Sequence, residues 1–278
     1  MRFGYIGLGN IGAPMAEQLV QPGQTLTVFD AVPAPMDAFR GKATLASSPA
    51  DLGRQADMIG ICVRDDADVE AAVAGADGLL ASMTAGIVAI HSTVRPSTIV
   101  ALATEAARHG VTLIDAAVTG GPSGARQRQL ICMAGGSPDD VARVKPLLDH
   151  YCGSIVHAGA PGAGMALKIA NNLVTYIELV AAIEAYRLAE ATGIDAALLD
   201  RVMAGNGNLT PTMSAFIQHR RGGAERMGAD GYRATQEALL SLGDKDLALA
   251  EEVAAEHGLA LPLAAHTRRL FPDSVMKA

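Results

Sequence analysis

Over the first 160 or so positions, apolar residues come in short runs, each followed by a longer amphipathic stretch. Arg2–Leu8, Leu26–Asp30, Met58–Val63, Ile87–His91 and Thr112–Asp115 read as strands, being rich in Ile, Val and Leu and bounded by turn-forming residues. Ala13–Val20, Asp66–Ala74 and Pro96–His109 carry helical spacing between them. Pro14 fits because a helix tolerates proline in its first turn. Strands alternating with helices predict a doubly wound parallel sheet. Leu130–Ala134 and Ile155–His157, separated by a helix over Pro138–Leu148, extend its edge. Past Gly164 the strand signals stop. From there to about Phe271 the pattern predicts helix with one irregular stretch, Gly205–Tyr232. The predicted fold class is α/β: a doubly wound parallel sheet of the Rossmann type over residues 1–162, followed by an all-α domain over residues 163–278.

The length supports this division, since 278 residues suffice for about two domains with their own cores. Half of the residues are hydrophobic and 18 % are charged, which places the chain among globular proteins. Its net charge of −7, with no basic run, argues against nucleic acid or an anionic membrane as partner. Cys62, Cys132 and Cys152 are spread out and form no C-x-x-C, as expected of reduced thiols in a cytoplasmic protein. No signal peptide is expected, because the N-terminus leads straight into a strand. The long apolar segment Met165–Leu188 carries Lys168, Asn171, Asn172, Glu178, Glu184 and Arg187, which reads as too polar for a bilayer span. The seven histidines are scattered without ligand spacing, so no metal is expected.

Two stretches carry candidate chemistry. Gly7-Leu8-Gly9-Asn10-Ile11-Gly12 follows a strand, opens a helix, and is followed by a strand that closes on Asp30. This is the context in which G-x-G-x-x-G binds a dinucleotide: the glycines let the pyrophosphate approach, and the acidic residue meets the adenosine ribose. A 2′-phosphate would face the Asp30 carboxylate, and residues 31–39 contain no arginine to offset it. The expected cofactor is therefore NAD in preference to NADP. Val63 and Arg64, and Thr93, follow later strands and border the same crevice, Thr93 alternatively capping the helix from Pro96. The second stretch, Gly159–Asn172, passes from loop glycines into an apolar helix on which Lys168 and Asn172 are one turn apart. Such a lysine must be paired, snorkel to water along a wet stripe of the helix, or be used chemically.

Taken together, G-L-G-N-I-G-A-P-M-A, H-S-T-V-R-P-S, D-A-A-V-T-G-G-P-S-G-A, G-A-G-M-A-L-K-I-A-N-N and G-D-K-D-L-A-L-A occur in the order seen in the β-hydroxyacid dehydrogenases. The resemblance, to 3-hydroxyisobutyrate dehydrogenase and tartronate semialdehyde reductase among others, runs from Gly4 to about Leu270. It implies that Lys168 is the catalytic lysine, with Asn172 its substrate-binding neighbour. Thr119, Gly120 and Gly121 become the loop that holds a substrate carboxylate, and Thr93 and Lys245 become cofactor contacts. The implied activity is NAD-dependent interconversion of a small 3-hydroxy acid and its semialdehyde, in a homodimer or homotetramer. Alternatives are a related reductase of another carbonyl or an imine, and a dinucleotide-binding module without turnover.

The chain also departs from the family pattern. Thr119 replaces the usual Ser, Ala117 a frequent Pro, and Arg64 the usual Pro. Gly205–Tyr232 matches least; there Asn206, Asn208 and Thr210 are candidates to reach substrate, and Arg220 or Arg221 to anchor a second anionic group, unless this is a surface loop. Asp115 is expected to hydrogen-bond the backbone of the Thr119–Gly121 loop, and His91 to end a strand near the cofactor crevice. Asp244 and Asp246 either hold Lys245 or begin a helix.

Overall fold

The computed structural model of the chain describes residues 1–276; the last two residues of the expected helical domain lie outside the described residues. Two compact units are present, Met1–Lys168 and Ile169–Ala278.

The first unit is built on eight strands: β1 (Arg2–Ile6), β2 (Thr25–Phe29), β3 (Thr44–Leu45), β4 (Met58–Ile61), β5 (Ile87–Ile90), β6 (Thr112–Thr119), β7 (Leu130–Gly135) and β8 (Cys152–Gly159). They form one sheet in the order β3-β2-β1-β4-β5-β6-β7-β8. Its helices are α1 (Gly12–Gln18), α2 (Pro49–Gly53), α3 (Asp66–Ala74), α4 (Pro96–Arg108), α5 (Gly121–Arg126) and α6 (Pro138–Leu148). All pairings are parallel except β6 with β7. That exception falls at the edge strands, whose direction the sequence pattern left open, and its cause is the connection. The link through α5 is shorter than the dozen or so residues a parallel crossover needs, so the chain reverses instead. The two-residue β3 and the five-residue α2 carry too little pattern to be read from sequence.

β6 runs four residues past the expected Asp115. Its first half pairs with β5 as far as Ile90↔Asp115, and its second half pairs with β7 from Asp115↔Gly135 to Thr119↔Ile131. Strand alternation divides the core between the two faces of the sheet. Phe3, Tyr5, Ile87 and Ala89 belong to one cluster, and Ile6, Ile59, Ile61, Val88 and Ile90 to the other. Burying each large side chain is worth about 1.5–3 kcal/mol, which makes these layers the main support of the sheet.

Helix α7 (Ala163–Ala191) starts in the first unit and continues into the second, which also holds α8 (Ala196–Gly205), α9 (Pro211–Glu256) and α10 (Pro262–Met276). Tyr176, Leu179, Tyr186, Met213, Ile217, Leu247 and Phe271 form the core of this unit. The expected irregular stretch is helical from Pro211, interrupted at Gly228 (φ 73°, ψ 162°). Four glycines between 222 and 231 lower its helix propensity, but Thr210 caps its start and buried Met213 and Ile217 anchor its first turns. By length and hydropathy α7 itself would suffice to cross a membrane. Its apolar character includes a core face, with Tyr176, Leu179, Val180, Ile183 and Tyr186 all buried.

Candidate active site

At the carboxyl end of β1 the chain turns through Gly7 to Gly12. Gly7 has φ +91°, and a Cβ there would lie 2.1 Å from the Cys62 carbonyl oxygen; a Cβ on Gly12 would lie 2.0 Å from that of Gly7. Those two glycines are required by the protein itself. Gly9 differs, since a Cβ there would meet nothing within 4 Å. Space above the middle glycine is what a pyrophosphate needs in order to reach the backbone, and α1 begins directly after it. Leu8 is buried beneath the turn, Asn10 is exposed and Ile11 is half-buried. The Asp30 carboxylate accepts hydrogen bonds from Leu8 N–H (2.6 Å) and Val32 N–H (2.8 Å), so it staples the turn to the end of β2.

Val63 and Thr93 stand at the carboxyl ends of the neighbouring strands β4 and β5, on the same edge of the sheet. Val63 N–H donates to Ser92 Oγ at 2.7 Å. Arg64 is exposed and pairs with Asp68 at 2.8 Å. At the start of α4, Asp66 accepts from Arg95 N–H (3.0 Å) and Thr98 Oγ1 (2.6 Å). His91 points into the core rather than toward the crevice. It is 3 % exposed, its Nδ1 is 2.6 Å from the Ala116 carbonyl oxygen, and its Nε2 meets the Tyr151 hydroxyl at 2.9 Å. Burial holds its imidazole down at about 4. Cys132 and Cys152, distant in sequence, are neighbours on β7 and β8; their mutual hydrogen bond, with burial, raises the Cys132 thiol far above its usual range.

Thr119 ends β6, and Gly120 (φ +120°) and Gly121 (φ +64°) turn the chain into α5 with backbone angles open to glycine. Asp115 does not bind this loop. It is fully buried and accepts from Gly162 N–H (2.8 Å) and Met165 N–H (2.7 Å), holding the start of α7. Burial lifts its carboxyl above the usual range, against the lowering by these backbone donors. Lys168 lies on the helix so anchored, 9 % exposed, and Asn172 follows one turn later at 8 %.

In the second unit Asn172 joins a polar cluster that sequence reasoning missed. Its Nδ2 donates to Asp246 Oδ2 at 2.7 Å, and the Tyr176 hydroxyl donates to the same oxygen at 3.0 Å. Lys245 Nζ lies 2.9 Å from Asp246 Oδ1. Asp246 thus does hold Lys245, whereas Asp244 turns to Arg268 at 2.6 Å; both lie well inside α9 rather than at a helix start. A signal for the cluster exists in the sequence: Lys168, Asn172 and Tyr176 recur every four residues and so share one face of α7. Of the second-unit residues nominated near 205–232, Thr210, Arg220 and Arg221 make contacts within that unit. Arg220 donates to the Ser274 carbonyl at 2.7 Å; Arg221 pairs with Asp200 at 2.8 Å and stacks over Tyr186, 4.7 Å from the ring centre. Thr210 caps α9, and Asn206 and Asn208 are exposed.

Comparison with known proteins covers both halves of the chain. Residues 2–159 match the family described as the NAD binding domain of 6-phosphogluconate dehydrogenase, and residues 162–277 that described as NAD-binding of NADP-dependent 3-hydroxyisobutyrate dehydrogenase. An uncharacterized oxidoreductase of Mycobacterium tuberculosis is 40 % identical over 265 residues, spanning 95 % of this chain and 89 % of its own length. The 3-hydroxyisobutyrate dehydrogenase of Pseudomonas aeruginosa is 33 % identical over 269 residues, spanning 96 % and 90 %. Among solved structures, a Mycobacterium tuberculosis 3-hydroxyisobutyrate dehydrogenase with L-serine matches with a TM-score of 0.82 at 27 % identity, over 99 % of this chain and 94 % of that one. One family accounts for the sheet unit and the helical unit together, and the chain belongs to it: the β-hydroxyacid dehydrogenases, which are NAD(P)-dependent oxidoreductases.

Proposed function

We propose that the protein interconverts a small 3-hydroxy acid and its semialdehyde, with Lys168 as general acid/base. The observation that carries this reading is the burial of Lys168 and Asn172 one turn apart on a helix whose start is fixed by Asp115. A bound nicotinamide supplies the two-electron acceptor or donor. Lys168 Nζ takes the proton of the substrate hydroxyl during oxidation and returns it during reduction. Asn172 orients the reacting oxygen without adding charge. Thr119, with the backbone N–H groups around Gly120 and Gly121, holds the substrate carboxylate.

The dinucleotide is held by the Gly7–Gly12 turn and Asp30, with Val63, Arg64 and Thr93 along the same sheet edge and Lys245 as a further contact. NAD is the preferred form, because Asp30 opposes a 2′-phosphate and Arg64 is already matched with Asp68. Exposed Leu188 and Val202 on α7 and α8 suit a subunit contact in a homodimer or homotetramer.

The test is NADH formation across 3-hydroxyisobutyrate, 3-hydroxypropionate, glycerate, serine and threonate, with NADP as control and Lys168→Ala beside wild type. Turnover of one acid, falling by about 10²–10⁴ in Lys168→Ala, is expected. Tight NADH binding without turnover of any acid overturns the reading.

A further inference from the structure

Asp246 is 2 % exposed, and a carboxylate that far from water must be compensated. Asn172 Nδ2 and the Tyr176 hydroxyl share its Oδ2, and the Lys245 ammonium lies beside its Oδ1. Tyr176 remains a donor, since burial first and the neighbouring carboxylate second push its phenol well above the usual range. A carboxylate can only accept. The carboxamide of Asn172 therefore has one permitted orientation, with its NH₂ toward Asp246 and its carbonyl oxygen on the opposite side, where Asn171 Nδ2 donates to one lone pair at 3.4 Å and the second is left for another donor. An unrestrained carboxamide presents either end at little cost.

We propose that Asp246 is a positioning residue that makes Asn172 a hydrogen-bond acceptor at the reacting centre. This deepens, and rests on, the reading of Lys168 and Asn172 as the reacting pair. It also bears on substrate form. An acceptor there meets a donor, either the hydroxyl of the hydroxy acid or the ammonium of Lys168. The carbonyl oxygen of a semialdehyde has no proton to offer it. The clamp therefore acts on the bound hydroxy acid directly and on the semialdehyde only through the Lys168 ammonium.

The experiment compares wild type with Asp246→Asn, Tyr176→Phe and the reciprocal double variant Asn172→Asp/Asp246→Asn. Kinetics are measured in both directions, NADH binding and thermal melting are recorded, and hydrogen exchange of the Asn172 side-chain amide is followed by NMR after ¹⁵N-asparagine labelling. The resonance is identified by its loss in Asn172→Ala. Expected are slow exchange in wild type and fast exchange in Asp246→Asn. The same variant loses little NADH affinity but about tenfold to a hundredfold in kcat/KM in both directions, as the fixed overall equilibrium requires, while KM rises more for the hydroxy acid than for the semialdehyde. The double variant recovers part of the loss, because donor and acceptor are exchanged while an acceptor still faces the substrate. Tyr176→Phe shifts exchange and kinetics less, in the same direction, and carries the test if Asp246→Asn does not fold. Unprotected exchange in wild type overturns the proposal, as do equal rises in KM for the two substrates with no recovery in the double variant. Protection that vanishes in Asp246→Asn, in a wild type that turns over no hydroxy acid, upholds the clamp and removes the functional reading beneath it.

Discussion

The Asp115 carboxylate and the Met165 N–H, fifty residues apart in the chain, are joined by a 2.7 Å hydrogen bond. With the companion bond from Gly162 N–H at 2.8 Å, it gives α7 a cap from a neighbouring strand. Helix starts leave N–H groups unpaired, and this one has no room for bulk water. The first turn of α7 is thus registered against β6.

Asp115→Ala orphans both N–H groups and is expected to cost about 1–3 kcal/mol for each. Asp115→Asn keeps one acceptor and costs less. Denaturant unfolding measures this, and turnover should fall further than stability alone explains, because Lys168 follows Met165 by less than one turn. A variant with full activity and unchanged unfolding would remove Asp115 from this role.

The glycine turn separates structural from ligand-binding requirements. Gly12→Ala forces a Cβ to within 2.0 Å of a backbone oxygen and should lower the melting temperature. Gly9→Ala meets open space and should melt like wild type, yet weaken NADH binding by about tenfold or more, because its methyl occupies the pyrophosphate's approach. Fluorescence titration beside calorimetry distinguishes the two. Wild-type NADH affinity in Gly9→Ala would place the dinucleotide elsewhere.

Buried His91 makes the fold acid-sensitive. Its imidazole is held at about 4 in the folded chain against an ordinary value of 6.5, so the unfolded chain binds a proton that the folded one refuses. The stability contributed is complete above pH 6.5 and is lost as pH falls toward 4. By pH 5 about 2 kcal/mol should have gone. His91→Gln is expected to be less stable at pH 7, through loss of the Tyr151 contact, but flatter between pH 7 and 5. Parallel slopes for the two proteins would exclude His91 as the origin.

Arg221→Ala should leave KM for the hydroxy acid within about twofold of wild type. Its guanidinium already serves Asp200 and the Tyr186 ring, contacts worth about 0.5–2 kcal/mol to the helical unit. A large rise in KM would instead return Arg221 to substrate binding.

Much of this was legible in the chain because the physics was local. The strand–turn–helix at Gly7–Gly12, the acidic end of β2 and the helix over Pro138–Leu148 each rest on neighbours in sequence. What escaped depends on contacts between distant segments. Asp115 looked like a loop anchor because Thr119 is close in sequence, whereas its partners lie fifty residues on. Asp246 appeared only as a neighbour of Lys245, since nothing local announces that α7 brings Asn172 and Tyr176 to it. The antiparallel step from β6 to β7 followed from a connection length that the strand pattern alone did not weigh.

With Asp30 meeting the ribose as proposed, its two backbone bonds also constrain any change of coenzyme. Exchanging an acidic ribose partner for a smaller or basic residue is the direct route from NAD toward NADP. Here the exchange would also cut the tether between Leu8 and Val32, loosening the loop on which either coenzyme depends. A successful switch must therefore supply a new backbone acceptor along with the positive charge, so selectivity and loop order have to be re-engineered as one unit.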